Sequence, residues 1–337
     1  MPSRGGLFVI GSGGREHALV WHLRRHYPTT PVYCAPGNPG IGRIATCLPV
    51  AASDADGLVE AAASRGVGLT IAGPEAPLVA GLADRFAARG LPFLGPSAAA
   101  SALEGSKAFA KDLMRRWGIP TADYRVFDDP KDALAHLEST SMPVVVKADG
   151  LAAGKGVVVA GDLDEARAAV RWMMIDRVFG DAGRRIVIEE HLTGEEASVF
   201  ALVDGEAVAL LPAAQDHKRL HDGDRGPNTG GMGAAAPFPL GGGLRRRILQ
   251  EILEPTAVAM CRAGRPYRGI LFAGLMMTPA GPKVLEFNCR LGDPEAQVIL
   301  PLLPVALPDA FHELARGRLG PETLIANTSG AQGAREA

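Results

Sequence analysis

With 337 residues the chain is long enough for two or three domains, and its 47% hydrophobic and 21% charged residues are an ordinary balance for a globular protein. The net charge of −2 excludes a global attraction to nucleic acid or to an anionic membrane surface, so any anion site has to be built locally. The four cysteines, Cys34, Cys47, Cys261 and Cys289, form no C-x-x-C pair, which argues against a zinc site or a disulfide framework and fits a reducing, cytoplasmic setting.

Residues 7–95 alternate strand and helix. "LFVIG" reads as a strand and "REHALVWHLRRH" as the amphipathic helix after it, and "PVYCA", "LTIAG" and "PFLG" read as short buried strands. This rhythm predicts a doubly wound parallel sheet. The chain enters its first strand directly and has no apolar run long enough to span a bilayer, so neither a leader segment nor a membrane partner is expected. "GSGGREHA" (11–18) joins the first strand to the first helix. It is not the dinucleotide fingerprint, because the third glycine position holds Glu16 and no acid follows the second strand. The helix N-terminus still suits one phosphate, with Arg15 and His17 beside it; a tight turn with a solvated arginine is the plainer alternative.

"GPSAAASALEGSK" (95–107) reads as a boundary, and "SKAFAKDLMRRWG" as the helix that follows, closed by Gly118 with Pro120 beyond. Residues 121–192 then read as a small α+β lobe. Within it, "KADGLAAGKGVVVA" (147–160) carries three glycines and two lysines between β-branched runs. A P-loop is ruled out: Gly150 and Gly154 enclose three residues, and Lys155 is followed by Gly156 rather than a hydroxyl. The glycines instead join two strands, either as a plain turn or as a hairpin that folds its backbone N–H groups over a nucleotide's phosphates.

"RIVIEEHLTGEEAS" (185–198) ends a buried strand in paired acids. "QDHKRLHDGDRGPNTGGMG" (215–233) reads as a long polar loop, a lid or binding segment. It fails the EF-hand pattern at Gly226 and Gly233, and His217 has no evident orienting partner. A helix near 243–263 and two strands joined by "TPAGPK" follow. On the second, "KVLEFN", Glu286 and Asn288 share one face and Phe287 takes the other, a donor pair suited to Mg2+ that arrives with a nucleotide. Arg290, Asp293 and Glu295 come directly after. The stretch from about 320 is small, polar and weakly patterned, and reads as disordered.

Taken in order, "GSGGREHA", "APGN", "GPEAPLV", "LEGSKAF", "KADGLAAGKGV", "EEHLTGEEAS", "QDHKR…DGDRGPNTGGMGA" and "LEFNCRLGDPEAQ" resemble the ATP-grasp superfamily and, within it, the glycinamide ribonucleotide synthetase family, from about residue 7 to about residue 303. The resemblance implies an α/β protein. Residues 1–103 would be a Rossmann-like domain, 104–303 a two-lobed ATP-grasp domain with its small lid lobe at about 121–192, and 304–337 a truncated remnant or disordered tail. It implies ligation of glycine to 5-phosphoribosylamine with ATP and Mg2+, or Mn2+ in its place, through a glycyl phosphate. No nucleic acid or membrane is involved. A monomer is expected, with a partner subunit left open.

By the same resemblance, Lys107 and Lys147 contact the ATP phosphates, and the loop with Gly150, Gly154, Lys155 and Gly156 closes over them. Glu189, Glu190 and Leu192 line the adenine hinge, Glu196 meets the ribose, and Glu286 and Asn288 bind the metal. Arg290 steadies the transferred phosphoryl group, so Arg290, Lys147 and Asp293 are the expected catalytic residues. Asp216 and Asp293 take the glycine ammonium, and Gly13, Gly14, Arg15 and Asn38 face the phosphoribosylamine. Two departures stand out. Ala235 replaces the family's usual aromatic, and the family's further small domain after "LPLL" has no counterpart in the remaining residues. A ligase for a different amine, or a nucleotide-binding module without turnover, are the competing readings.

Overall fold

The computed structural model describes residues 5–152, 154–223, 225–303 and 307–318. They divide into two compact units, one of Met1–Ser101, Ala197–Gly274 and Asn288–Ala337, the other of Ala102–Glu196 and Leu275–Phe287.

The first unit opens with β1 (Gly6–Gly11), β2 (Val32–Pro36), β3 (Thr46–Cys47), β4 (Val67–Ala72) and β5 (Phe93–Leu94), all parallel in the order β3-β2-β1-β4-β5. All six residues of the central β1 are buried, which explains its unbroken apolar run. The chain winds outward from β1 through β2 and β3, then restarts on the other side at β4. The loops that leave the C-terminal ends of β1 and β4 therefore flank a topological switch point, where open α/β sheets place their ligands.

The helix Gly14–His26 buries Leu19, Val20 and Leu23 against this sheet, and His22 with them. Burial pushes His22 down to about 4, aided by the nearby charges of His26 and Arg25 and opposed by a hydrogen bond to the Leu300 backbone. In the unfolded chain its imidazole gains a proton near its ordinary value, while in the folded chain it stays neutral until about pH 4. The unfolded state thus binds more protons in that window, and stability falls as pH drops through it by about 3 kcal/mol. Urea melts of His22→Gln should lose most of this acid slope relative to the parent; an unchanged slope would remove His22 as its source.

The second unit is built on β6 (Tyr124–Phe127), β7 (Val144–Ala148), β8 (Val157–Ala160) and β9 (Ile186–Glu190), an antiparallel sheet in the order β6-β9-β7-β8. Its core joins Val144, Val146, Ile186 and Ile188 to Ala166, Ala169, Val170, Met173 and Met174 of the helical segment beside it. Lys147 opposes Val157 and Val144 opposes Ala160, so residues 149–156 connect two paired strands, as the β-branched flanks require.

Further along are β10 (Glu195–Asp204), β11 (Ala207–Leu210), β12 (Gln215–His221), β13 (Arg225–Ala235), β14 (Arg268–Thr278) and β15 (Gly281–Asn288). Four of them form a sheet in the order β11-β10-β14-β15, which leaves β15 at an edge. The polar loop expected at 215–233 is instead a two-stranded antiparallel hairpin, β12 with β13, interrupted by register shifts. Its ladder consists of backbone hydrogen bonds, which require no apolar alternation, and no period-2 signal marks it in the residues. His217 accordingly lies exposed on a strand. The segment 95–107 is more helical than a boundary: Ala98–Gly105 forms a helix before Lys107–Trp117. Of the segment 304–337, the structure describes 307–318, including the helix Leu307–Ala315, whose Phe311 and Leu314 enter the core of the first unit. The disorder expected from about 320 lies outside the described residues. Among those described, no helix is long and apolar enough to cross a membrane.

Candidate active site

Of the residues read as nucleotide-handling, Lys107, Lys147, Gly150, Gly154, Lys155, Gly156, Glu189, Glu190, Leu192, Glu196 and Glu286 lie in the second unit, and Asn288 and Arg290 in the first. Ser106 caps the helix Lys107–Trp117 by accepting from Phe109 N, and its hydroxyl donates to the Asp149 carboxylate at 3.0 Å. Asp149 also accepts from Ala108 N at 2.7 Å. These bonds tie the start of the glycine hairpin to the start of the helix and bring Lys107 over it. Lys107 Nζ donates to the carbonyls of Ala148 (2.8 Å) and Gly150 (3.3 Å). Burial holds its pKa below the ordinary lysine value, with Glu286 opposing and Lys147 reinforcing the shift.

In the hairpin, Gly154 has φ +73°, a conformation that side chains resist, and both it and Lys155 are exposed while Gly156 is buried. Lys147 projects from β7 and is 5% exposed; its Nζ donates to the Leu285 carbonyl at 3.1 Å and pairs with Glu189. Glu189 sits inward on β9, 3% exposed, with its second carboxylate oxygen paired to Lys111. Glu190, the next residue, points outward and pairs with Lys283 at 2.9 Å. Its backbone N–H is taken by the Asp123 carbonyl. Leu192 is buried with Ala122 and Met276, and Glu196 is exposed on β10.

The residues read as substrate-facing lie in the first unit, around the switch point. Glu16 is 2% exposed and accepts from Gly13 N (2.5 Å) and Arg15 Nε (2.7 Å). A Cβ on Gly73 would collide with the Glu16 carboxylate, so the loop after β4 closes over this side chain because residue 73 has none. Arg15 is not solvated. It is 8% exposed, and Nη1 donates to the Leu291 carbonyl at 3.2 Å. Asn38 is equally committed: its Nδ2 donates to Ser12 O and its Oδ1 accepts from Ile41 N, each at 2.9 Å, which ties the loop after β2 to the loop after β1. Gly14 is exposed beside Asp293, whose carboxylate accepts from Gln297 Nε2 (2.6 Å) and from Arg15 N (3.4 Å). A Cβ on Gly231 would lie 2.7 Å from Pro294 Cδ and 3.1 Å from Asp216 Oδ1, so Asp216 on β12 and the Asp293–Pro294 turn approach the same backbone.

Arg290 spreads its guanidinium over three acceptors: Glu75 Oε2 (2.9 Å), Leu291 O (3.2 Å) and Asn288 Oδ1 (3.3 Å). Burial pushes the Glu75 carboxyl up, but Arg290, its own backbone N–H and Arg15 outweigh that and leave it below the usual range.

Glu75, Glu16 and Lys111 were not singled out as site residues. Lys111 had a legible signal, since it interrupts the buried face formed by Ala108, Ala110, Leu113 and Met114 on one helix. Glu75 opens the helix after β4, at the switch point, and parallel winding alone points there.

Among the described residues no group of three or more His, Cys, Asp or Glu is placed to hold a metal ion. Glu286 and Asn288 occupy alternate positions of β15; Glu286 is half-buried, and Asn288 is buried with its Oδ1 accepting from Arg290 Nη2 at 3.3 Å.

The second unit thus sets a glycine-rich connection between two paired strands of an antiparallel sheet, with Lys107 half-buried and Lys147 buried close to it. Two family models divide the chain between them: "Phosphoribosylglycinamide synthetase, N domain" matches residues 6–104, and "Phosphoribosylglycinamide synthetase, ATP-grasp (A) domain" matches residues 105–296. The chain belongs to the phosphoribosylglycinamide synthetase family. It is 53% identical over 321 residues to a phosphoribosylamine–glycine ligase of Allochromatium vinosum, an alignment that covers 93% of this chain and 74% of the relative. The crystal structure of a phosphoribosylamine–glycine ligase from Thermotoga maritima superposes with a TM-score of 0.80 at 34% identity, over 92% of this chain and 75% of that one. The biotin carboxylase domain of Hydrogenobacter thermophilus 2-oxoglutarate carboxylase, solved with MgADP, shares the fold at 17% identity and a TM-score of 0.71, over 93% and 70% of the two chains.

Proposed function

We propose that the chain is the ATP-dependent ligase of purine biosynthesis that joins glycine to 5-phosphoribosylamine, yielding glycinamide ribonucleotide, ADP and phosphate. The observation that carries this is the pair of family matches running continuously from residue 6 to residue 296. In this reading ATP phosphorylates the glycine carboxylate, and the sugar amine displaces phosphate from the resulting glycyl phosphate. No covalent enzyme intermediate is required, so positioning and charge neutralisation carry the rate.

Lys107 and Lys147 are proposed to meet the phosphates under the hairpin of Gly150, Gly154, Lys155 and Gly156. Leu192 and the strand end at Glu189–Glu190 are proposed to border the adenine, with Glu196 toward the ribose. Glu286 and Asn288 would hold Mg2+, which supplies charge neutralisation at the phosphates when bound. Arg290, braced by Glu75, is proposed to steady the transferring phosphoryl group. Asp293 and Asp216 offer acceptors to the glycine ammonium. Gly13 and Gly14 present backbone to the phosphoribosylamine. Arg15, whose Nε and Nη1 are bonded within the fold, and Asn38, whose side-chain amide is likewise bonded, are proposed to shape that site more than to bind in it.

The test is phosphate release with ATP, Mg2+, glycine and freshly formed phosphoribosylamine, with the product identified by mass. Release that requires both glycine and this amine is expected; release with glycine and a different amine alone would redirect the acceptor. In calorimetry, ATP should bind more tightly than GTP, and equal affinity for the two would remove the adenine-hinge roles.

A further inference from the structure

The helix Lys107–Trp117 carries a second lysine that the proposed chemistry does not use. Lys111 lies one turn beyond Lys107, and its side chain is 3% exposed. A buried ammonium is stable only when it is paired and fully hydrogen-bonded. Lys111 pairs with one oxygen of Glu189, and its Nζ donates to Thr121 Oγ1 at 2.8 Å. The Thr121 hydroxyl donates its own hydrogen bond to the Val284 carbonyl at 2.7 Å, so its lone pairs are left to accept from the lysine. The other oxygen of Glu189 is paired with Lys147. One buried carboxylate is therefore shared by two buried ammonium groups. These three side chains together carry one net positive charge, in the unit that holds the glycine hairpin.

We infer that Lys111 is a positioning residue for the nucleotide: it holds Glu189 from behind, so that Glu189 orients Lys147 without neutralising it. The inference rests on the reading of Lys147 as a phosphate ligand. Its physical content is a division of charge. With Lys111 protonated, Glu189 divides its single negative charge between two cations, and the surplus remains available to a polyanion. With Lys111 neutral, Glu189 and Lys147 form a closed one-to-one pair, and the attraction for triphosphate falls.

Burial pushes Lys111 down to about 8, with Glu189 opposing and Lys147 reinforcing the shift. The charges that act on it are Glu189 on β9 and Lys147 on β7, with a weaker pull from Glu190, whose side chain points outward to Lys283; the ring of Tyr124 on β6 lies 5.7 Å from its Nζ, and Arg115 stacks on the same ring. The surplus charge is thus present at neutral pH and lost as pH rises through about 8. A lysine that served only to fill space or pin the helix would alter the melting temperature without tying nucleotide affinity to pH.

The experiment is calorimetry of the whole chain with Mg·ATP from about pH 7 to about pH 9.5, alongside Lys111→Met and Lys111→Arg. In the parent, Kd is expected to rise about tenfold across this range with a midpoint near pH 8. Lys111→Met should be weaker by about the same factor at neutral pH and flat throughout. Lys111→Arg, which keeps its charge, should bind tightly and also be flat. Turnover at saturating ATP should change less than Kd in both. If the methionine variant does not fold, Thr121→Val serves instead. Loss of the hydroxyl acceptor destabilises the ammonium form, so the parent's midpoint should move to lower pH. A parent profile without a step near pH 8 overturns the inference, and so does a step that survives in Lys111→Met, which would belong to Lys107 or Lys147. Absence of any ATP binding by the parent overturns the reading of Lys147 as well.

Discussion

Arg290→Lys is expected to lower kcat by about 10²- to 10³-fold while leaving the KM for ATP within a few-fold. The substitution keeps the charge and removes the fork. Arg290 uses Nε, Nη1 and Nη2 on three separate acceptors, Glu75, Leu291 and Asn288, and a single ammonium cannot span them. A lysine here would pair with Glu75 or reach toward the nucleotide, but not both. The loss should therefore appear where charge builds up during phosphoryl transfer and not in ground-state binding. Glu75, deprived of a planar partner, should move back toward the ordinary carboxylate range, since Arg290 is the strongest of the groups that pull it down. Steady-state kinetics with ATP and glycine varied separately would check the split. A rise in KM at unchanged kcat would make Arg290 a binding group and nothing more.

Glu286→Ala is expected to cost about 10²-fold or more in turnover and to shift Tm by no more than about 2 °C. Glu286 is half-buried on an edge strand, and its charge supports the Lys107 ammonium against burial. Without it, Lys107 loses part of that support, and the phosphates lose the carboxylate oxygen that would share a cation with them. The apolar side of the strand, with Phe287 at 3% exposure, is untouched, so the fold loses little. Kinetics at saturating Mg2+ and a thermal melt together decide the point. Near-normal turnover would exclude the metal role, and a large drop in Tm would make Glu286 a structural residue.

Much of the scaffold was legible because local physics dictates it. "LFVIG" is apolar throughout because β1 is covered on both faces, and the two valine runs around residues 149–156 are β-branched because they pair as β7 and β8. "KVLEFN" puts Glu286 and Asn288 on one side of β15, but that side also carries the buried Val284 and Asn288 is itself buried, so burial does not follow the two faces. The glycine stretches were equally plain, since residue 154 needs a left-handed backbone and residue 73 a vacant Cβ. The hairpin at 215–235 was missed because a ladder of backbone bonds between polar, glycine-rich segments leaves no periodic trace.

What the sequence alone determined, then, was which stretches form buried strands, where the glycine hairpin sits, and the ordered motifs that mark the family. What only the tertiary structure decided was which charges meet. Lys111 and Glu189 are 78 residues apart, and Arg290 and Glu75 are 215 apart. No local propensity links such pairs. They are brought together by strand order and helix packing, and a buried ammonium or carboxylate is tolerated only when the completed fold sets its counter-charge beside it. Asn38 and Arg15 illustrate the same point from the other side. Their residue types suggested free donors for a ligand, and the folded loops had already taken those donors to hold the site in shape.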